Sequence, residues 1–183
     1  MTEHRRFHIW SDVERLKWQN PESILTVIGL RQSMIFVDIG CGKGFFALPA
    51  AKIVGKTGQV IGIDFDSEWL QSLEEKAHEM SLENIQTILG RAEEIVPVRE
   101  SADVVFLGMV LHDFDDPDRV LYNAKIMLKR GGKLADLDWI GESTDIGPPV
   151  GIRFSEQKAS KMIEIHGFKI LSATRLDPYH YPR

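Results

Sequence analysis

The chain has 183 residues, 43% of them hydrophobic and 27% charged, with a formal net charge of −5. These values fit one globular domain with a single sizeable core and exclude a disordered chain. The acidic balance argues against a nucleic-acid partner. No apolar stretch approaches the roughly 18 residues that would make a membrane partner expected.

The first 18 residues carry charges throughout and lack the apolar core of a secretory signal, so the expected compartment is cytoplasmic. Within them His4, Arg5, Arg6 and His8 form a small basic cluster of the kind usual at a solvated end. Residues 1–33 read as a helical extension. Trp10, Val13, Leu16 and Trp18 recur at near-helical spacing, and Asn20-Pro21 supplies an N-cap with proline at the first helical position. The second helix stops at Gly29. This preface either forms a lid over a ligand or covers a sheet edge.

Residues 34–183 alternate strands with helices. A strand over residues 34–39 meets a glycine turn, followed by a helix that ends before Gly55. A buried-type run over residues 59–64 ends in Asp64, and Asp66 or Ser67 caps a helix with Trp69, Leu70, Leu73, Ala77 and Met80 on one face. Strands follow over residues 84–89 and 103–107. Asp116-Pro117 starts the next helix, with Lys129-Arg130-Gly131 expected to close it. A fifth strand spans residues 133–138, Ser155 caps a helix ending at Gly167, and residues 168–173 read as a sixth strand. The fold class is α/β: a three-layer sandwich around a doubly wound, mostly parallel sheet. Residues 140–150 form the one extended loop.

The turn after the first strand is the most informative stretch. Asp38 precedes Gly40, Cys41, Gly42, Lys43 and Gly44. Glycines let a ligand approach the backbone, and a helix start offers unpaired N–H groups. A dinucleotide-type GxGxxG pattern needs glycine at position 45, where Phe45 stands. Cys41, the single cysteine, permits no intrachain disulfide and no cysteine metal cluster, and a metal site is not expected. Between two glycines it reads as a small turn residue, not a nucleophile. Asp64 closes the second strand, where a carboxylate can accept both hydroxyls of a ribose.

Five stretches in order, VDIGCGKGF, VIGIDFD, GRAEEI, DVVFLGMVLHDFDDP and LKRGGKLADLDW, resemble the class I S-adenosylmethionine-dependent methyltransferases, of Rossmann-like fold. The likeness is to the small-molecule subgroup that includes quinone-biosynthesis and arsenite methyltransferases, and GPPVGIRFS continues it. The resemblance implies S-adenosylmethionine as cofactor and methylation of a small-molecule acceptor. It implies that Asp38 sits near the methionine ammonium and that Gly40, Cys41, Gly42 and Gly44 pack on that moiety through backbone. Asp64 would hold the ribose, Phe65 would lie beside the adenine, and Ala92 would offer its N–H to the base beside Glu93. Leu107 and Gly108 would contact the amino-acid end, and Met109 and His112 would face the methyl.

Three positions depart from the family pattern. Arg91 stands where relatives carry an acid that accepts from the adenine amino group. One cysteine cannot form an arsenic-binding set. The chain ends at Arg183, where relatives continue into a seventh strand, so that strand is expected to be truncated. The open sheet edge that this leaves would favour a homodimer.

A general base matters only for a protonated acceptor. His112 and Asp113 are the candidates by position, with Asp138 and Tyr179 behind them. Asp115, Asp116 and Asp118 read as capping and surface acids. Two other readings stay open. One is a module that binds the cofactor without catalysis, suggested by Arg91 and the short C-terminus. The other is an NAD(P)-dependent oxidoreductase, which Phe45 and the helical preface disfavour.

Overall fold

A computed structural model describes residues 12–173 and, as backbone, the strand His180–Pro182. Trp10, Tyr179 and the basic residues His4, Arg5, Arg6 and His8 lie outside the described residues. The elements are α1 (Asp12–Arg15), α2 (Pro21–Val27), β1 (Ile35–Ile39), α3 (Ala47–Val54), β2 (Gln59–Asp64), α4 (Ser67–Glu79) and β3 (Ile85–Leu89). They continue as β4 (Ala102–Gly108), α5 (Pro117–Met127), β5 (Leu128–Trp139), α6 (Glu156–Ile165) and β6 (His180–Pro182).

Capping chemistry sets the helix starts. The side chains of Asn20, Asp66, Asp116 and Ser155 each accept a backbone N–H of the first turn of α2, α4, α5 and α6 respectively. Proline follows directly in α2 and α5, where its missing N–H removes no helical bond.

The sheet order is β3-β2-β1-β4-β5-β6. The first five strands are parallel, and β6 runs antiparallel along residues 137–139 of β5. The order in which strands are added therefore reverses beside β1, and the carboxyl ends of β1 and β4 flank that switch point. Alternation divides the core into two layers. Phe36, Val60, Val104 and Phe106 face α2, α3 and α4, while Val37, Ile61, Val105 and Leu107 face α5 and α6. Among the described residues no helix is long and apolar enough to cross a membrane.

Four expectations need correction. The near-helical spacing of Val13, Leu16 and Trp18 is not realised as one helix: α1 spans Asp12–Arg15, Leu16 and Trp18 lie in the turn beyond it, and Val13 and Leu16 are exposed. Met80 does not share the buried face of α4; it forms the C-cap and is exposed. Lys129-Arg130-Gly131 does not close α5, because the backbone turns extended at Leu128 and enters β5. The buried Leu128 pairs with Ala102, and Lys129 forms an ion pair with Asp103, so the charged triplet sits in an irregular strand start. Residues 168–173 form no strand. Phe168 and Ile170 do pack on the second core layer, which explains their alternation, but the free edge of β5 is taken by β6. Pro182 is tolerated there because β6 is outermost, where a missing donor breaks no further ladder.

Candidate active site

The glycine loop is built onto the end of β2. Gly40, Gly42 and Gly44 all have positive φ (74°, 53° and 89°), a conformation that other residues adopt at a cost of about 1–2 kcal/mol. A Cβ on Gly40 would stand 2.8 Å from Val110 Cγ1, and one on Gly44 would collide with Leu73. The N–H groups of Gly40 and Cys41 donate to the Ile63 carbonyl at 2.8 and 3.1 Å. Cys41 fills the hollow that Gly62 leaves, with its thiol buried and its pKa pushed up by that burial. This inert packing role agrees with its reading as a turn residue.

Asp64 is only 4% exposed. Its Oδ2 accepts the Gly42 N–H at 2.9 Å and its Oδ1 the Asp66 N–H at 3.0 Å. Burial raises its pKa, opposed by the backbone N–H groups of Asp66, Gly42 and Phe65. A carboxylate has about four lone-pair positions, so acceptor capacity remains on both oxygens. Asp38 is 2% exposed, and its Oδ2 has no partner among the described residues. Its pKa is raised to about 7 by burial, against the charge of Arg15.

Asp64 opens onto a cleft lined by residues of β2 and of the turns that follow β1, β2, β3 and β4. Of the residues expected at a site, Gly40, Asp64, Phe65, Ala92, Glu93 and Asp113 line this cleft together. Asp38, Cys41, Gly42, Gly44, Leu107, Gly108 and Met109 are not part of its lining. Leu107 is fully buried in the second core layer, and Gly108 is where Phe46 and Phe106 leave no room for a side chain. Met109 holds φ at 68° while its N–H donates to the Leu137 carbonyl at 2.7 Å, a strained joint at the end of β4.

Sequence reasoning did not assign Trp69, Val110 and Phe114 to the cleft. Val110 and Phe114 bracket the expected catalytic pair, and the apolar residues around LHD were the available signal. The turn after β3 is held by Asn123, whose Nδ2 donates to the Ala92 and Glu93 carbonyls at 2.9 and 2.8 Å. Arg91 pairs with Asp115 at 2.6 Å and Glu93 at 3.3 Å on the rim. The Glu93 carboxylate thus already has a cationic partner.

His112 and Asp138 form a buried pair, Nδ1 to Oδ1 at 2.8 Å, with the imidazole side chain 3% exposed. Asp138 Oδ1 also accepts the N–H of Trp139. The Nε2 of His112 lies 3.5 Å from Asp113. Burial works against the imidazolium, but Asp138, then Asp113 and Asp136, outweigh it and raise the pKa to about 9. His112 is therefore protonated at neutral pH, and Asp113 is the member of the expected pair that reaches the cleft.

The loop after β5 is organised by Arg153. Its guanidinium donates to the carbonyls of Pro148, Glu142, Ile146 and Ile140 and to Thr144 Oγ1, and it stacks on Trp139 at 5.2 Å. Trp139 in turn meets Trp18, with ring centroids 5.7 Å apart. The preface and the long loop thus converge beside the carboxyl end of β5.

A doubly wound sheet with an acid-glycine loop and an acid closing β2 defines a nucleoside-type binding fold. The chain belongs to the methyltransferase domain family, whose model matches residues 30–143. It is similar to demethylmenaquinone methyltransferase of Staphylococcus aureus, with 33% identity over 63% of this chain and 47% of that protein. The protein of the same name from Listeria welshimeri is 30% identical over 67% of this chain and 51% of its own length. This chain thus spans about half the length of these curated relatives. Among solved structures, a SAM-dependent methyltransferase from Aquifex aeolicus superposes with a TM-score of 0.87 at 26% identity, covering 94% of this chain and 96% of that one.

Proposed function

We propose that the chain binds S-adenosylmethionine and transfers its methyl group to a small-molecule acceptor. The observation that carries the reading is the joined pair of Asp64 and the glycine loop at the mouth of the cleft. The residues present suit the cofactor. Asp64 has acceptor capacity for a cis-diol, the exposed ring of Phe65 offers a flat face to a base, and the Oδ2 of Asp38, without a partner among the described residues, can accept from an ammonium. Hydrogen bonds of this charged kind each contribute roughly 1.5–3 kcal/mol.

When bound, the cofactor supplies a sulfonium-activated methyl carbon for direct displacement. The work left to the chain is orientation, which can lower such a barrier by roughly 7–11 kcal/mol. Trp69, Val110 and Phe114 are the apolar cleft-lining side chains available to shape the acceptor. Asp113, the cleft-lining member of the expected catalytic pair, is assigned to accept a proton from a protonated acceptor, and the His112–Asp138 pair holds the turn that carries it. Because the curated relatives are named demethylmenaquinone methyltransferases, a reduced naphthoquinone is the first acceptor class to assay.

The test has two parts. Isothermal titration should detect S-adenosylmethionine and S-adenosylhomocysteine, and no heat with either removes the reading. Transfer of a labelled methyl group to reduced quinones and small phenols should then be measured. Binding without transfer to any acceptor would leave a cofactor-binding module.

A further inference from the structure

Arg91 and Asp115 belong to opposite walls of the cleft. Arg91 lines it from the turn after β3, and Phe114, the residue before Asp115, lines it from the turn after β4. Nη2 of Arg91 donates to Oδ2 of Asp115 at 2.6 Å and lies 3.3 Å from Oε1 of Glu93. The Arg91 and Asp115 side chains are 40% and 58% exposed, whereas Asp64 and Ala92 in the same cleft are buried. The bond therefore crosses the outer rim, from one wall to the other.

Both anchors of this bridge are fixed at the backbone. The N–H groups of Glu94 and Ile95 donate to the Arg91 carbonyl at 2.9 and 3.1 Å. On the other wall the Asp113 N–H donates to the Val110 carbonyl at 2.9 Å, and Asp116 caps α5 by accepting the Arg119 N–H at 2.9 Å. Arg119 and Asn123 both donate to the Glu93 carbonyl, which ties α5 to the turn after β3. With the walls held, the part left to move is the Arg91 side chain, and exposed side chains change rotamer in picoseconds to nanoseconds. Exposed ion pairs are weak, so this one opens often and gates the cleft without locking it. A carboxylate at position 91 would meet Asp115 and Glu93 with like charge and could not close the rim.

We propose that the Arg91–Asp115 bond is a side-chain latch across the mouth of the cleft, and that the cofactor and its demethylated product pass only while it is open. The inference rests on the cofactor reading above and adds to it a control of exchange. Because the latch bonds wall to wall, it divides the entry and exit rates by the same factor and leaves the affinity unchanged. A residue that held the ligand itself would change the exit rate and the affinity together.

The test is stopped-flow binding of S-adenosylhomocysteine, followed by tryptophan emission, to which the cleft-lining Trp69 contributes. Arg91→Gln and Asp115→Asn should each raise association and dissociation rates by one common factor, about two- to fivefold. The dissociation constant should stay within about twofold of wild type. In Asp115→Asn the guanidinium keeps Glu93, which lies on its own wall, so the rim still opens. The double variant should match either single one, because both remove the same bond. Salt at about 0.5 M should bring the wild-type rates up toward those of the variants, which themselves move little. Nitrogen-15 relaxation of the Arg91 Nε–H, assigned by its loss in Arg91→Gln, reads the bond without ligand, and its order parameter should fall in Asp115→Asn. A change in dissociation alone, unaltered rates, effects that add in the double variant, or an unchanged order parameter each overturn the inference. Wild-type protein that binds no S-adenosylhomocysteine overturns the cofactor reading and the traffic assigned to the latch with it. Binding with wild-type rates in both variants overturns the latch alone.

Discussion

The backbone N–H of Gly42 donates to Oδ2 of Asp64 at 2.9 Å, so the turn after β1 and the acid closing β2 are one unit. Replacing Asp64 by Asn keeps the shape but removes the charge and turns one acceptor into a donor that faces the Gly42 or Asp66 N–H. Asp64→Asn should weaken S-adenosylhomocysteine binding by about ten- to a hundredfold, read by titration calorimetry. Affinity within twofold of wild type would separate this carboxylate from the ligand.

Asp38 should trade stability against binding. Burial raises its folded pKa to about 7 from 3.8, so the folded state holds a proton that the unfolded state releases. Stability then falls as pH rises from about 4 to about 7, and the full penalty remains above that window. Asp38→Asn should melt at or above the wild-type temperature at pH 8 without ligand, and bind S-adenosylhomocysteine more weakly. A lower melting temperature at pH 8 would contradict the assignment.

His112 acts in the opposite sense. Its folded pKa of about 9 lies above the ordinary 6.5, so the contribution of the Asp138 pair is complete below about pH 6.5 and disappears as pH rises through about 9. Wild-type stability should drop over that interval by on the order of 1–3 kcal/mol, measured by urea unfolding at several pH values. His112→Phe should lack the drop. A wild-type curve flat between pH 6 and 9.5 would exclude the ion pair.

Gly44 and Gly131 separate backbone strain from crowding. Both have positive φ (89° and 79°), but a Cβ on Gly44 meets Leu73 and Leu48, and one on Gly131 meets nothing within 4 Å. Alanine should cost about 1–2 kcal/mol at Gly131 and a further ~1–3 kcal/mol at Gly44. Equal losses in chemical denaturation would mean that the loop relaxes away from α4.

Arg153 should govern the loop after β5. Its bonds to four carbonyls and a hydroxyl cannot be reproduced by lysine. Arg153→Lys should speed amide hydrogen exchange across residues 141–147 while leaving β1 and β4 protected. Arg153→Ala should lose roughly 2–4 kcal/mol of stability. Unchanged exchange in the loop would show that it is held by other contacts.

The glycine loop and its two acids were legible in the chain because their causes are local. Left-handed turns select glycine, and an acid closing an apolar run marks the end of a buried strand, as the last residue of β2 at Asp64 and the last but one of β1 at Asp38. The caps at Asn20, Asp66, Asp116 and Ser155 were readable for the same reason. Pairing across the sheet was not. Alternation in residues 168–173 reports which side chains touch a core, whereas a strand also requires a free edge, and β6 holds that edge. Arg15 and Gln19 escape an apolar-spacing reading of this segment, because the last residue of α1 and the buried Gln19 beyond it are polar and pack on each other and on Phe45. Arg153 was part of a loop pattern with no role of its own, since its partners are all backbone or hydroxyl groups that composition does not distinguish. The burial of His112 depends on Asp138, which lies 26 positions away.

The contact between Trp18 and Trp139 gives the molecule an optical gauge of its own. Indoles at 5.7 Å couple their electronic transitions, and the signed couplet this produces in circular dichroism vanishes when the rings part. Whether the leading segment opens to admit a ligand is thus recorded by the native chromophores, with no dye attached.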